Sequence, residues 1–567
     1  MIAIIREEDS WLYFRNPVKK LETHNLNEVK SLLEEASKSG LYAAGFISYE
    51  ASSAFDDVYK HKQNKDFPLL SMGLYKSPVI LKELPDIEEN NYSISELIPS
   101  ISKQNFLDKI AKIKSNIEAG NTYQVNYTYR LNGKFKGDCY QFFKHLIDNQ
   151  NAKYASYIST NNWSICSASP ELFFSLKSNI LITKPMKGTA RRGKNSKEDI
   201  YQSKQLRNSK KNQAENIMIV DMLRNDIGKI ADNGTISTVK TFELERYPTL
   251  WQMTSTIKGV VRCKVPEIMK ALFPCASITG APKIKTMEII DNIECSSRDV
   301  YTGSIGYIHP NNDALFNVAI RTAIINKKNS KIVYSVGSGI VWDSDGEEEY
   351  LETQMKANIL LSKRYKFDLI ETMLWEPNKE VKLLNLHLDR INTSADFFNR
   401  SFNKEHAIKL IKSVSNNLSL KLRLLLKPDN TLLLEEHSFK CLPLNKTLNL
   451  KVSKNETHSS NIFLYHKTSI RDHYEKAKTG LIDYDEVILW NENKHITEGT
   501  IYNIAILKDK IWITPPLECG LLNGVMREKM IKSGKLLEKI ITLEELYKAE
   551  KIILFNSVQG IRNAILL

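Results

Sequence analysis

The stretch Lys184-Pro-Met-Lys-Gly-Thr-Ala-Arg-Arg-Gly193 decides how the rest of the chain is read. An apolar run with strand composition, Asn179-Ile-Leu-Ile-Thr183, precedes it. The proline and the Gly-Thr pair read as a sharp exit from that strand. Lys187 is then expected at a strand end, held by backbone. Arg191, Arg192 and Lys194 follow at once, which predicts an electropositive mouth. A solvated basic turn fits the same ten residues, and the decapeptide alone does not choose.

Working outward, Glu171 lies sixteen residues upstream, in Ser167-Ala-Ser-Pro-Glu-Leu-Phe-Phe174. It follows a proline and enters an apolar strand. It reads either as an edge carboxylate in water or as a carboxyl kept protonated by apolar neighbours and able to donate. Downstream, residues 196–230 read as one long helix. Glu215, Met218 and Met222 share a face at i, i+3 and i+7. A carboxylate on an apolar face needs a partner, either a cation side chain or a divalent metal. Gly280-Ala-Pro282 reads as a helix opening whose free N–H groups would bind anions. Tyr301 and Arg321 fall on predicted strands, and Val336-Gly-Ser-Gly-Ile-Val-Trp342 is another, carrying Gly337, Ser338 and Gly339. Glu349 and Glu352, at i and i+3 of a helix start, face the same way. They either compensate the helix dipole or offer hard oxygen ligands to Mg²⁺.

The totals bound these readings. At 567 residues the chain needs two or more domains. Hydrophobic content of 42% and charged content of 26% are those of a soluble globular protein. The net charge of +13 is spread among acidic residues, and no nucleic-acid-reading motif accompanies it. That argues against nucleic acid and for steering of small anions. Seven widely spaced cysteines without a C-x-x-C pair read as reduced thiols. The apolar run at the N-terminus is too short for a signal sequence, and no membrane-length apolar stretch occurs. The expected setting is cytoplasmic, with no membrane partner.

Taken together, residues 1–360 resemble the chorismate-utilising enzymes: anthranilate synthase component I, aminodeoxychorismate synthase component I, and the isochorismate and salicylate synthases. The resemblance is carried, in order, by Ser-Pro-Glu-Leu-Phe, Pro-Met-Lys-Gly-Thr, Glu-Asn-Ile-Met-Ile-Val-Asp, Gly-Ala-Pro-Lys, Tyr-Thr-Gly-Ser-Ile-Gly-Tyr, Ile-Arg-Thr and Glu-Tyr-Leu-Glu-Thr. It implies an α/β (α+β) fold with two large antiparallel sheets, flanking helices and a site between the sheets. It also implies roles. Mg²⁺ on Glu215, Glu349 and Glu352 would grip the ring carboxylate of chorismate. The second carboxylate would lie near Tyr301, Arg321 and the backbone of Gly337 to Gly339, with Gly280 and Ala281 also at the substrate. Glu171 would protonate the leaving hydroxyl, and Lys187 would attack the ring. Anthranilate synthases usually carry a small residue at the position of Lys187, and lysine there marks aminodeoxychorismate synthase. Gln252 stands where many relatives have a histidine associated with pyruvate elimination, a departure that disfavours the anthranilate reading.

Past residue 360 the pattern restarts. Lys467, in Tyr465-His-Lys-Thr-Ser469, reads alone as one more surface lysine. Glu498 follows an apolar strand. Thr514 to Arg527 ends in a Gly-led helix start, a ready phosphate cradle. Phe555-Asn-Ser-Val-Gln-Gly560 is a polar turn. Residues 361–567 resemble the branched-chain and D-amino-acid aminotransferase fold, a two-subdomain class IV fold that includes aminodeoxychorismate lyase. The resemblance implies pyridoxal 5'-phosphate. Lys467 would join its aldehyde and act as general base, and Glu498 would pair the pyridine nitrogen. Arg390, the Val525 and Met526 amides and Ser557 would hold the phosphate, with Thr372 touching substrate.

The two resemblances together imply domains of 1–360 and 361–567 that would make 4-aminobenzoate for folate: the first would aminate chorismate, and the second would split off pyruvate. No glutaminase motif is evident in the sequence, so ammonia is expected to arrive free or from a separate glutamine amidotransferase subunit. A homodimer through the second half is also an expectation. Two other readings stay open: anthranilate synthase component I fused to an amino-acid aminotransferase, and a binding protein built on a dead enzyme fold.

Overall fold

The computed structural model describes residues 1–85, 91–361, 366–443 and 446–567. The chain divides into two units, one of residues 1–191 with 203–364, the other of residues 192–202 with 365–567.

In the first unit the described strands form an eleven-stranded and a ten-stranded sheet. Strand periodicity of two explains how the sheets stack. Ala3 and Ile5 point into a shared apolar layer with Phe46 and Ile305 of the other sheet, while Ile4 between them points the other way. The outer faces take helices. Lys103–Glu118 turns Phe106, Ile110 and Ile113 onto one sheet, with Ser102 accepting from the Asn105 amide as cap. Lys210–Gly228 and Val265–Leu272 cover the other through Ile219, Leu223, Ile268 and Met269.

Three sequence expectations are corrected in this unit. The long helix over 196–230 is two, Ser196–Asn208 and Lys210–Gly228. Ser209 breaks it, because its side chain accepts from the Asn212 amide and so competes for the helix backbone. Pro185 is not a sharp exit. Ile180–Lys184 and Met186–Arg191 both pair with Leu250–Val260, at Ile182 opposite Lys258 and Met186 opposite Thr254. Proline only removes one ladder donor. The register shift falls between Met186 and Thr189, where Gly188 takes a φ of +94°. Finally, Gly280 and Ala281 form a short strand against Val125 and Gln124, and the helix starts later, at Lys283 with Pro282 as cap.

The second unit has two sheets with separate cores. Leu369–Trp375, Leu420–Leu426 and Leu432–Ser438 form an antiparallel sheet covered by Leu384–Phe397 and Lys404–Lys412. The other sheet has eight described strands, in which Leu448–Val452 runs parallel to both neighbours. Residues 192–202 belong to this unit. Arg192 grips Asp199 through two bonds of 2.7 and 2.8 Å, donates to the Phe397 carbonyl at 2.9 Å and lies over the Phe397 ring. Near the expected junction at 360/361, helix Gly346–Leu361 is continuous, and residues 362–365 lie outside the described residues. No helix among the described residues is long and apolar enough to cross a membrane.

Candidate active sites

A cavity of about 300 Å³ in the first unit draws on both sheets. Glu171, Lys187, Glu215, Tyr301, Arg321, Gly337, Ser338, Gly339, Glu349 and Glu352 all line it, and Gly280 and Ala281 do not. Lys187 is the second residue of Met186–Arg191, inside the register shift between Met186 and Thr189. A methyl on Gly339 would come within 3.1 Å of Lys187 Nζ, so the glycine leaves room for the amine. Burial lowers the Lys187 pKa, opposed by the charges of Glu215 and Glu171. Glu171 is 3% exposed, and burial pushes its carboxyl up to about 7. Ser277 Oγ donates to its Oε1 at 2.6 Å.

The three carboxylates expected to hold metal share this cavity, but among the described residues no group of three acidic, imidazole or thiol side chains forms a ready ion site. Glu349 accepts from Ser338 and from Ser344, the latter at 2.7 Å. Glu352 pairs with Lys356 at 2.6 Å. Burial raises the Glu215 pKa, and its repulsion from Glu349 and Glu352 adds to this against the pull of Lys187 and Lys211. The donor chemistry fits a hard dication, which would relieve that repulsion, provided Glu349 and Glu352 give up their present partners.

Tyr301 and Arg321, expected on strands, lie in the connections outside Ser304–Ile308, Ala314–Val318 and Thr322–Asn326, and Arg321, at a φ of +51°, donates to Gln150 at 2.5 Å. Gln252 donates to the Gly188 carbonyl and accepts from Thr189, both at 3.1 Å, tying down the strand that bears Lys187. Arg191, Arg192 and Lys194 do not line the cavity; Lys211 and Lys356 supply its extra positive charge. Ser277, Lys211 and Lys356 were missed in the sequence. Only Lys356 had a local signal, its i, i+4 spacing from Glu352.

The second unit holds a cavity of about 490 Å³, lined by Thr372, Arg390, Lys467, Glu498, Val525, Met526 and Ser557 among others. Lys467 is fixed by its carbonyl, which accepts from the Ile370 amide at 2.9 Å. Burial brings its amine down to about 8; Arg390 adds to this, and Glu371 and Glu498 oppose it. Glu498 is 4% exposed and is pushed up to about 8 by burial. It accepts from Tyr474 at 2.7 Å and Asn503 at 3.3 Å. Helix Val525–Lys532 starts after Gly524 with no side-chain cap, so its first N–H groups are left to the cavity. A side chain at 524 would collide with Asn503 Oδ1. Ser557 sits in the turn after Lys551–Asn556. An amine, a buried carboxylate, a guanidinium and an uncapped helix start in one cavity fit pyridoxal 5'-phosphate. Tyr474 and Asn503 were not singled out in the sequence, and nothing local marks them.

Two sheets enclosing one carboxylate-rich cavity, followed by a second fold with its own lysine site, define a two-part enzyme architecture. Residues 4–362 match the family model described as chorismate binding enzyme, and residues 368–565 match that of amino-transferase class IV. The chain belongs to the chorismate binding enzyme family and carries a class IV aminotransferase domain behind it, a fusion of two enzyme domains. It is 36% identical over 271 residues to aminodeoxychorismate synthase component 1 of Escherichia coli (strain K12), covering 47% of this chain and 59% of that one. It is 35% identical over 323 residues to the chloroplastic aminodeoxychorismate synthase of Arabidopsis thaliana, covering 55% of this chain and 35% of the relative. The matches thus span less than two thirds of these relatives' length. The structure of anthranilate synthase component I from Streptococcus pneumoniae TIGR4 shares the fold, with a TM-score of 0.55, 24% identity, and coverage of 64% of this chain and 92% of that one.

Proposed function

We propose that the chain makes 4-aminobenzoate from chorismate and ammonia in two steps. The first unit converts chorismate and ammonia to 4-amino-4-deoxychorismate and water; the second splits that product into 4-aminobenzoate and pyruvate. The observation that carries this reading is Lys187, a lysine with lowered pKa in the same cavity as a buried carboxyl near 7 and three further glutamates.

Glu171 gives its proton to the leaving 4-hydroxyl as the C–O bond breaks. Neutral Lys187 bonds to the ring, and ammonia then enters at C4 and expels it. Arg321 and the cavity wall at Gly337 to Gly339 would receive a substrate carboxylate. Glu215, Glu349 and Glu352 would hold Mg²⁺, which when bound supplies positive charge for the other carboxylate.

In the second unit Arg390, the Val525 and Met526 amides and Ser557 would hold the phosphate of pyridoxal 5'-phosphate, and Glu498 its ring nitrogen. The cofactor, when bound, supplies an electron sink. Lys467, with a pKa near 8, takes up and returns protons near neutral pH. Ammonia comes from a separate glutamine amidotransferase subunit. Seven unpaired thiols support a reducing, cytoplasmic setting.

The test is to supply the purified chain with chorismate, Mg²⁺, ammonium and pyridoxal phosphate and identify the aromatic product. 4-Aminobenzoate is expected; anthranilate would overturn the role given to Lys187.

A further inference from the structure

Beneath the second cavity Arg390 is held by two buried groups, Glu371 and His387, to which no step above gives a role. Glu371, on Leu369–Trp375, is 1% exposed and faces helix Leu384–Phe397. Its Oε1 accepts from Arg390 Nε at 2.8 Å and its Oε2 from Arg390 Nη2 at 2.7 Å. The same Oε2 is 2.6 Å from Nδ1 of His387, which is fully buried. Arg390 Nη1 donates to the Asn523 carbonyl at 3.2 Å, one residue before the Gly524 cap.

A guanidinium has five N–H donors in a rigid plane. Three are committed here: two to Glu371, one to Asn523. The plane is therefore fixed, and the two remaining donors belong to a side chain that lines the cavity. Burial alone would raise the Glu371 pKa, but Arg390 and His387 pull it down to about 2, so the carboxylate is ionised throughout the neutral range. His387 has a lowered pKa, chiefly from burial, against the pull of Glu371. Its bond to the carboxylate then makes Nδ1 the protonated nitrogen. Its Nε2 has no hydrogen-bond partner, a real penalty for a buried nitrogen. The imidazole is therefore placed for what Nδ1 does, which is to hold Glu371.

We propose that Glu371, steadied by His387, is the positioning residue that aims Arg390 at the cofactor phosphate. It rests on the reading of the cavity as a pyridoxal phosphate site. Two effects compete when the carboxylate is removed. Loss of its negative charge would strengthen attraction between Arg390 and a phosphate; loss of its two-pronged grip would free the guanidinium to turn away. The fixed plane and the Asn523 bond make orientation the larger effect.

The experiment titrates pyridoxal phosphate and pyridoxal, which lacks the phosphate, into the full chain and its variants by absorbance. Wild type should prefer pyridoxal phosphate strongly. Glu371→Gln should weaken pyridoxal phosphate binding roughly 10- to 100-fold, as loss of an orienting residue does at metal sites, and change pyridoxal binding far less, since the loss of the Glu371 charge at Lys467 is common to both ligands. Adding Arg390→Ala should produce no loss beyond that of Arg390→Ala alone. Should Glu371→Gln fail to fold, His387→Phe tests the same chain of contacts and should shift pyridoxal phosphate binding alone, by a smaller factor. Equal losses for both ligands, additive losses, or unchanged or tighter pyridoxal phosphate binding would each overturn the inference. A wild type with no preference between the ligands would instead overturn the cofactor reading beneath it.

Discussion

At the scale of single residues, the two lysines differ from the many others in the chain by where they are held. Lys187 and Lys467 both line cavities and both have pKa values lowered first by burial. Replacing Lys187 with Met should reduce formation of 4-amino-4-deoxychorismate by about 10³-fold or more, as loss of a nucleophile does, with the melting temperature held. Residual turnover within tenfold of wild type would remove the lysine from the chemistry. The pH profile probes its neighbour. In the proposed role Glu171 must be protonated to act, and burial holds its pKa near 7, so kcat/KM of the first step should fall as pH rises through about 7. Ser277 donates to the carboxylate and so favours its ionised form. Ser277→Ala should therefore raise the Glu171 pKa and move that limb to higher pH. A limb that stays put, or moves down, would mean another group sets it.

At the scale of elements, periodicity was a good guide and exceptions to it were not. The helix over Lys103–Glu118 could be read from Phe106, Ile110 and Ile113, because one apolar face is a purely local pattern. The Lys187 strand could not be read as continuous across Pro185, because what keeps it extended is its partner Leu250–Val260, remote in sequence. Gly280 shows the same limit. The sequence offered it as a helix-opening anion contact, but a Cβ there would lie 1.9 Å from the Gln124 carbonyl, at a φ of +144°. Close approach of two strands explains the glycine. Gly280→Ala should cost about 3 kcal/mol in urea unfolding, the scale of a forced positive φ plus strand displacement. A variant that keeps its stability but loses chorismate affinity would restore the ligand role. Arg192 ties residues 192–202 into the second unit. Its pair with Asp199 is nearly buried, at 9% and 6% side-chain exposure. Breaking one side should cost about 3–5 kcal/mol, so Arg192→Ala should lower the unfolding midpoint of that unit. No local pattern signals this, since residues 192–202 precede by far the rest of the unit they join.

At the scale of the whole molecule, most of the expected residues that line the two cavities were readable because motifs order them along the chain, while residues such as Ser277, Tyr474 and Glu371 converge only through folding. The fusion itself makes the sharpest claim, that the product of one lysine's cavity is the substrate of the other's. Each single variant isolates one step. A chain carrying Lys467→Ala should release 4-amino-4-deoxychorismate and no 4-aminobenzoate; a chain carrying Lys187→Met should release neither from chorismate, yet convert supplied 4-amino-4-deoxychorismate. Mixed together, the two should restore 4-aminobenzoate, because each supplies the step the other lacks. Rate then decides how the intermediate travels. Free diffusion predicts a lag that shortens as the Lys187→Met chain is added in excess, and a final rate matching wild type. Direct transfer within one chain predicts that the mixture stays slower than wild type at any ratio. Failure of the mixture to make 4-aminobenzoate, with each single step intact, would show that the two cavities do not act on one pathway.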